Sequence, residues 1–384
     1  MHSDSSSPVG PGFRGSQNTS ASSGQLRWAV RSSLYLGLAA VVIVALLGMF
    51  KLQQDRAVAT ASENRLVASQ GVIAPMRKRL SPEYTDKQGR LLADAPTSAA
   101  DLLDPQTLVL AHNVDLEADA PPVDWDGLRA ILAQATDREV VLQEYEGSVH
   151  DVSAVKAGKI HIVALHSADT PNLVNNAGFI PCTVLGTEAG AQGNRLDIAV
   201  STKSKIKSLA ELRGHVLTCT RPDSITGYRA AVAVLMREAG LRPASDYSVS
   251  WSFGQSESIH RLAAGEIEVA ALSDDKVQSQ IKRGRVAESD FHTIYQSKVI
   301  PHLTIGTVHQ LQPALAGKIT LAITDFENQK GAPDEISGKP LRFLPIDYKR
   351  DFEFVRNIDD AFDPRFGQRL RAKTESPPTE DESK

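Results

Sequence analysis

Short apolar runs alternate with amphipathic helical patterns along most of this chain, from about residue 106 to residue 359. Thr107–Ala111 (TLVLA) reads as a buried strand, Trp125–Thr136 as an amphipathic helix and Lys159–Leu165 (KIHIVAL) as a further strand. Such alternation is typical of a mainly parallel sheet with helices on both faces. The predicted fold class is therefore α/β.

The alternation restarts at Leu196–Val200 (LDIAV) and continues through the strands HVLTCT, SVSWSF and EVAAL with helical patterns between them. A chain of 384 residues is long enough for two lobes with separate cores. We predict one lobe from residues 105–195 and 291–360, with Phe291–Gln296 (FHTIYQ) as its first returning strand. The other lobe comprises residues 196–290. Two lobes joined by two chain crossings place a cleft between them, where ligands usually bind.

An uncharged apolar run, Ser32–Phe50, precedes this body. At a rise of about 1.5 Å per residue, its 19 residues just span a hydrocarbon core of roughly 30 Å. A cleaved signal peptide is the alternative, with the small residues of Ala57–Ala61 at the cleavage site. We predict an uncleaved single-pass transmembrane helix that anchors the protein in the cell membrane, with the binding domain on the extracytoplasmic side.

The remaining segments are polar. We expect residues 1–31, which are rich in Ser and Gly, to form a disordered tail, and residues 51–104 to form a stalk or linker. Residues 361–384 end in KTESPPTEDESK and are expected to be a second disordered tail.

Several function classes lack sequence support. The 42 Lys and Arg residues do not exceed the 46 Asp and Glu residues, so no basic excess indicates nucleic-acid binding. The sequence has no GxxxxGK[ST], GxSxG or HExxH motif and no Cys/His spacing for zinc, and it predicts no enzyme activity, cofactor or metal. Cys182 and Cys219 read as core residues, and whether they pair stays open.

The sharpest local feature is the loop RPDSITGY (Arg221–Tyr228) between the strand HVLTCT and the helical run RAAVAVLMREAG. Such a loop offers backbone N–H groups and the positive end of a helix dipole to an anion. Ser224 and Thr226 add hydroxyl donors. The alternative is a plain helix cap, because Ser and Thr often cap helices.

Other polar residues follow predicted strands. His166 ends one strand, and Asp274 and Asp275 end the strand EVAAL, at edges where α/β sheets expose ligand-binding residues. Either aspartate could meet a ligand cation or cap a helix. His161 and His260 are assigned to packing or to the surface.

Four segments together resemble a known family. They are KSKIKSLAELRGHVLTCTRPDSITGYRAAVAVLMREAGL, HRLAAGEIEVAALSDDKV, SKVIPH and FLPIDYKRDFEFVRNID. In order and spacing they are similar to the phosphate, phosphite and phosphonate-binding proteins of ABC transporters, over residues 105–360. The resemblance implies a two-lobed, type II periplasmic-binding-protein fold that closes on an oxyanion and delivers it to permease and ATPase subunits.

The resemblance also implies a set of site residues. Ser224, Thr226 and Gly227 fall in the anion loop, but Ile225 stands where the family has a hydroxyl residue, and Gln255 where a histidine is common. ALHSADTPN replaces the usual Gly-Pro-x-x-Tyr of the first lobe. The expected ligand-binding residues are Ser224, Thr226, Gly227, Tyr228, Gln255 and Asp274 in one lobe, with His166 and Ser167 in the other.

Two functions follow from these residues. The first is a transport receptor for phosphonate, phosphite or phosphate. The second is a sensing or structural module on the same fold, suggested by Ile225 and Gln255, since losing a hydroxyl and a potential cation weakens binding of a dianion. The identity of the ligand stays open.

Overall fold

The structure is a computed structural model of the chain. It describes residues 41–42, 45–46, 48–49, 51, 79–113, 121–145, 152–252, 254–328 and 340–362. Residues 1–59 form one compact unit, in which the described residues are helical and exposed. None of the helices in the described ranges is long and apolar enough to cross a membrane. The predicted span Ser32–Phe50 and the two predicted tails lie largely outside these ranges and stay predictions. The start of the second tail is the exception: Ala361 and Phe362 are buried, so these two residues belong to the folded body.

Residues 60–384 form the second compact unit, which holds two α/β sheets in its described part. Its strands are β1 (Thr107–Asn113), β2 (Glu139–Tyr145), β3 (Ile162–His166), β4 (Phe179–Thr187), β5 (Gly190–Ala191), β6 (Gly193–Asn194), β7 (Leu196–Ser201), β8 (Val216–Cys219), β9 (Ser248–Trp251), β10 (Val269–Ser273), β11 (Phe291–Gln296), β12 (Ile300–Pro301), β13 (Leu303–Val308), β14 (Glu327–Asn328) and β15 (Leu341–Pro345). Its α-helices are α1 (Trp125–Thr136), α2 (Val152–Lys156), α3 (Thr170–Ala177), α4 (Ala230–Glu238), α5 (Gln255–Ala263), α6 (Asp274–Lys282), α7 (Pro313–Asp325), α8 (Tyr348–Asp351) and α9 (Glu353–Asp360). Short 3-10 turns cover Ala99–Asp101, Ser167–Asp169, Leu209–Leu212 and Glu288–Asp290, and one π-helical turn covers Ile225–Arg229.

The first sheet has the order β14-β15-β4-β13-β3-β1-β2, with β5 beside β4. β1, β2 and β3 run parallel, so their carboxyl ends lie at one edge, while β13 and β15 run antiparallel to β4. Residues 162–165 of β3 are fully buried, because the central strand of such a sheet is covered on both faces. We call this sheet and its helices lobe 1.

The second sheet has the order β11-β7-β10-β8-β9. β8, β9 and β10 run parallel, and β7 runs antiparallel to β10. The carboxyl ends of these three strands, the start of β7 and the end of β11 therefore meet at one edge. We call this sheet and its helices lobe 2. The two lobes confirm the predicted α/β class and agree with the type II periplasmic-binding-protein fold.

The assignment of Phe291–Gln296 to lobe 1 was wrong. This strand, β11, pairs with β7 in lobe 2, with Phe291 opposite Ser201. The ring of Phe291 is buried in a small cluster with Ala199 and Ile259. A period-two pattern predicts a strand but carries no information on its partner, which here lies about 90 residues earlier in the chain.

The two chain crossings lie side by side. β6 leads into lobe 2 and β12 leads back, and they pair as an antiparallel two-stranded ribbon with Ile300 opposite Asn194. Near the end of the described chain, α9 contacts α3 of lobe 1 and α4 of lobe 2. The lobes are thus joined covalently at the ribbon and by packing at α9.

Part of the predicted stalk is packed on lobe 1. The Ser81 N–H donates to the Asn175 carbonyl at 2.8 Å, and the Leu103 N–H donates to the Gln310 carbonyl at 2.8 Å. Leu92 and Ala93 are buried. Residues 79–104 are therefore an integral part of lobe 1.

The two cysteines lie in different sheets, Cys182 on β4 and Cys219 on β8, and both are free thiols. Cys219 is fully buried. The core interpretation of Cys219 is thus confirmed.

Candidate functional site

The loop after β8 forms the π-helical turn Ile225–Arg229, from which α4 continues. The Ala230 N–H donates to the carbonyl of Ile225, which is the spacing of a π-turn, and such turns often occur at functional sites. Ser224 precedes the turn, and its Oγ accepts a hydrogen bond from the Gly227 N–H at 3.0 Å. The helix cap that the sequence left open is therefore present. The first N–H groups of a helix have no partner within the helix, which gives this end a partial positive charge.

The backbone folds back on itself at Gly227. The Thr220 N–H donates to the Gly227 carbonyl at 3.0 Å. A Cβ at position 227 would overlap Oγ1 of Thr220 and lie 2.7 Å from Oγ of Ser224. Both separations are well inside van der Waals contact. Close approach, not an unusual backbone angle, is what requires glycine here.

Tyr228 lies behind the turn, in the core of lobe 2. Its side chain is fully buried, and its ring packs edge-to-face on Trp251 at a centroid distance of 4.9 Å. The hydroxyl has no hydrogen-bond partner within the ranges that the structure describes, and burial raises the pKa of the phenol. Tyr228 thus supports the turn from inside, and its contact with a ligand stays a prediction.

Gln255 and Asp274 begin the helices that follow β9 and β10. Gln255 begins α5, and its Oε1 accepts a hydrogen bond from the Ser273 N–H at 3.1 Å. Asp274 begins α6, and its Oδ1 accepts from the N–H groups of Arg195 and Asp275, both at 2.8 Å. Burial raises the pKa of Asp274. Two polar side chains are therefore held at the edge of lobe 2, beside the turn.

Sequence reasoning missed Asp197, near the start of β7. It is 7% exposed, and its Oδ1 accepts a hydrogen bond from Nε2 of Gln296 at 3.0 Å. Burial raises its pKa to about 6; the Gln296 bond and Arg195 oppose this rise, and the charge of Asp274 adds to it. The sequence signal that could have identified Asp197 is a carboxylate inside the apolar run LDIAV.

The predicted residues of lobe 1 differ in accessibility. His166 ends β3 and is partly exposed. Ser167 is fully buried, and its Oγ lies 2.6 Å from Oγ1 of Thr304 on β13. Ser167 therefore makes an internal hydrogen bond, and its role in ligand binding stays a prediction.

Two further polar residues end parallel strands of lobe 1. Asn113 on β1 lies opposite Tyr145 on β2 in the strand register. The Tyr145 hydroxyl donates to the carbonyl of Ala164 on β3 at 2.8 Å. These residues share their sheet edge with His166. The sequence signal for Asn113 was the polar pair His112 and Asn113, which follows the apolar run of β1.

His161 and His260, which the sequence assigned to packing or to the surface, make hydrogen bonds inside the protein. Nδ1 of His161 accepts from the Val109 N–H at 2.9 Å, and burial lowers its pKa. Nε2 of His260 lies 3.0 Å from Oε1 of Gln280. The packing interpretation is confirmed for His161. In the part of the chain that the structure describes, no three His, Cys, Asp or Glu residues form a group that could hold a metal ion.

The candidate site is thus assembled from strand ends. The π-helical turn, Gln255, Asp274 and Asp197 lie at one edge of lobe 2, which Arg195 connects to the crossing ribbon. His166, Asn113 and Tyr145 lie at one edge of lobe 1, where β12 of the ribbon contacts the turn Ser167–Asp169. The lobe 2 edge combines a positive helix end with two carboxylates, which suits an oxyanion that also carries a donor or a cation.

A family model described as "ABC transporter, phosphonate, periplasmic substrate-binding protein" matches residues 117–339. No curated protein matches the chain in sequence.

The solved structures that resemble the chain include the following three. A Xanthomonas citri protein bound to ATP is 17% identical with a TM-score of 0.49, over 71% of this chain and 100% of that one. A binding protein component of an ABC phosphonate transporter from Pseudomonas aeruginosa is 15% identical with a TM-score of 0.42, over 71% and 95%. A Prochlorococcus marinus protein in complex with methylphosphonate is 13% identical with a TM-score of 0.41, over 70% and 99%.

Proposed function

The chain belongs to the phosphonate periplasmic substrate-binding protein family of ABC transporters, and we propose that it captures a small oxyanion between its two lobes for transport. The oxyanion is a phosphonate, phosphite or phosphate. Proteins of this family bind and are not enzymes. Closure of the lobes around the ribbon on binding is a shift between open and closed populations.

The π-helical turn is the observation that carries this proposal. Ser224 and Gly227 shape it so that a hydroxyl, N–H groups and a helix dipole converge at the edge of lobe 2. Thr226 is buried within the same turn and adds a second hydroxyl. Charge-assisted hydrogen bonds from such donors are stronger than neutral ones, so an oxyanion is the ligand that this arrangement favours.

The carboxylates beside the turn restrict the class of ligand that the site favours. Asp274 and the buried Asp197 would repel a compact dianion and attract an ammonium group. An aminoalkylphosphonate offers a phosphonate group to the turn and an ammonium group to the carboxylates. We therefore expect 2-aminoethylphosphonate to bind more tightly than methylphosphonate or phosphate.

Delivery requires other proteins. The sequence has one predicted span and no nucleotide-binding motif, so the proposal includes separate ABC permease and ATPase subunits. The predicted anchor at Ser32–Phe50 would hold the binding lobes on the extracytoplasmic face of the cell membrane.

Calorimetric titration of the full-length protein with phosphate, phosphite, methylphosphonate and 2-aminoethylphosphonate tests the proposal. We expect binding of at least one ligand with a Kd in the micromolar range, about -8 kcal/mol. Ser224→Ala should abolish it. Ser250→Ala is the matched control, because Oγ of Ser250 pairs with Oγ1 of Thr218 at 3.0 Å within the sheet and not in the turn. No heat from any of the four ligands with folded protein would refute the proposal.

A sensing or structural module is the second candidate. It is favoured by Ile225 at a position where the resemblance implies a hydroxyl, and by Gln255, whose Oε1 is already bonded to the Ser273 N–H. Loss of all oxyanion binding by a folded protein would support it.

A further inference from the structure

Phe362 joins the end of the described chain to the candidate site. It follows α9, whose preceding strand β15 belongs to lobe 1, yet α9 itself contacts α4 of lobe 2. The Phe362 side chain is 1% exposed. A residue that arrives from lobe 1 is therefore buried behind the anion-binding turn of lobe 2.

Its ring contacts two consecutive residues of that turn. The ring centroid lies 5.9 Å from that of Tyr228 in an edge-to-face arrangement. The guanidinium carbon of Arg229 lies over the same ring, 5.2 Å from its centroid. Both distances fall in the range in which aromatic pairs and cation–π pairs attract. One side chain thus holds the last two residues of the π-helical turn.

Arg229 makes this contact more than simple packing. Its Nε is buried and has no hydrogen-bond partner within the described ranges. A buried part of a charged group without a hydrogen bond is destabilising unless another interaction offsets it. The negative face of the Phe362 ring contacts this guanidinium and offers such an interaction.

We propose that Phe362 is a positioning residue for oxyanion binding. The face of the Phe362 ring holds the turn Ile225–Arg229 in the shape that presents the N–H groups of the turn. The role of the turn in oxyanion binding rests on the function proposed above, whereas its positioning by Phe362 does not. Phe362 also makes the geometry of the site depend on a segment that comes from lobe 1.

A matched control is available in the same segment. Phe352 is 0% exposed and directly precedes α9, and its ring packs on Tyr348 at a centroid distance of 5.6 Å. Phe352→Ala and Phe362→Ala remove the same buried side chain and should both lower stability. Only Phe362→Ala should alter the turn.

The test has two readouts on the full-length protein. The first is amide hydrogen exchange without ligand at Gly227, whose N–H donates to Ser224 Oγ, and at Arg229, whose N–H donates to the Ser224 carbonyl. We expect Phe362→Ala to speed exchange at both amides at least about tenfold relative to Phe352→Ala. The second readout is titration with 2-aminoethylphosphonate and with phosphate, where Phe362→Ala should raise Kd about tenfold and Phe352→Ala should not.

Phe362→Tyr keeps the ring face and should show wild-type values in both readouts. Phe362→Leu keeps much of the side-chain volume without the ring face and should not show them. Equal exchange at Gly227 and Arg229 in Phe362→Ala and Phe352→Ala would overturn the inference. If Phe362→Ala does not fold, wild-type exchange in Phe362→Leu would overturn it. If the wild type binds neither ligand, the proposed function fails, but the exchange readout still decides whether Phe362 positions the turn.

Discussion

Nε2 of Gln296 donates a hydrogen bond of 3.0 Å to Oδ1 of Asp197, although the two residues are 99 positions apart in sequence. The bond links the last strand of lobe 2 to its first strand, next to both chain crossings. Burial raises the pKa of this carboxyl from 3.8 to about 6. The Asp197 carboxyl therefore titrates in a pH range that is easily reached in solution.

Asp197→Asn should remove a pH-dependent loss of stability. Below about pH 4 the carboxyl is protonated in both the folded and the unfolded protein, and above pH 6 the folded protein holds a buried charge. The wild type should therefore lose stability relative to Asp197→Asn as pH rises from 4 to 6. We expect the stability difference between the two proteins to change by about 2 kcal/mol between pH 4 and pH 7. Urea unfolding at pH 4 and pH 7 measures it, and an identical difference at both pH values would contradict this account.

Asp246→Asn is a control for which we expect the opposite pH dependence of stability. The Arg242 N–H holds the pKa of Asp246 below its ordinary value. The wild type should therefore gain stability over this variant as pH rises through the acidic range.

Gly227→Ala should damage the turn. The added Cβ would overlap Oγ1 of Thr220, and we expect about 1–3 kcal/mol lower stability together with weaker oxyanion binding. Thr220→Ala in the same chain removes that oxygen and should recover part of the loss. Gly317→Ala on α7 meets no heavy atom within 4 Å and should leave stability unchanged or raise it. Chemical denaturation and titration measure these effects, and full stability of Gly227→Ala would refute the close-approach argument.

Ser167→Ala should lower the free energy of unfolding. It leaves the buried Thr304 hydroxyl without its partner at 2.6 Å, which costs about 1–3 kcal/mol. Adding Thr304→Val removes the orphaned hydroxyl, so the double variant should lose less than the sum of the single variants. Loss of affinity at unchanged stability would instead identify Ser167 as a ligand contact.

The two cysteines should remain thiols in an oxidising compartment. Cys182 and Cys219 lie in different sheets and are free, and burial raises the pKa of both. Thiol titration of the unreduced protein should give two groups per chain after denaturation in guanidinium, and slow reaction of Cys219 before it. Fewer than two groups after denaturation would show that the thiols pair.

The sequence alone determined the local elements. The period of apolar residues identified the strands and helices, and their alternation indicated two α/β lobes. Polar residues after apolar runs located Asp274 and His166 at strand ends, because the carboxyl ends of parallel strands are where α/β sheets expose ligand-binding residues. The loop between the strand HVLTCT and the following helix located Ser224, whereas Gln255 was implied only by the family resemblance. These inferences needed only neighbours within about twenty residues.

Only the tertiary structure decided which elements meet. β11 reads as a strand in either lobe, and its pairing with β7 decided its place. Tyr228 reads as a loop residue, yet Trp251 and Phe362 enclose its ring. The bond between Asp197 and Gln296 and the contact of Phe362 with Arg229 likewise join distant positions. The physical reason is that hydrophobic periodicity reports whether a face is buried, whereas the partner that buries it is chosen by packing across the whole fold.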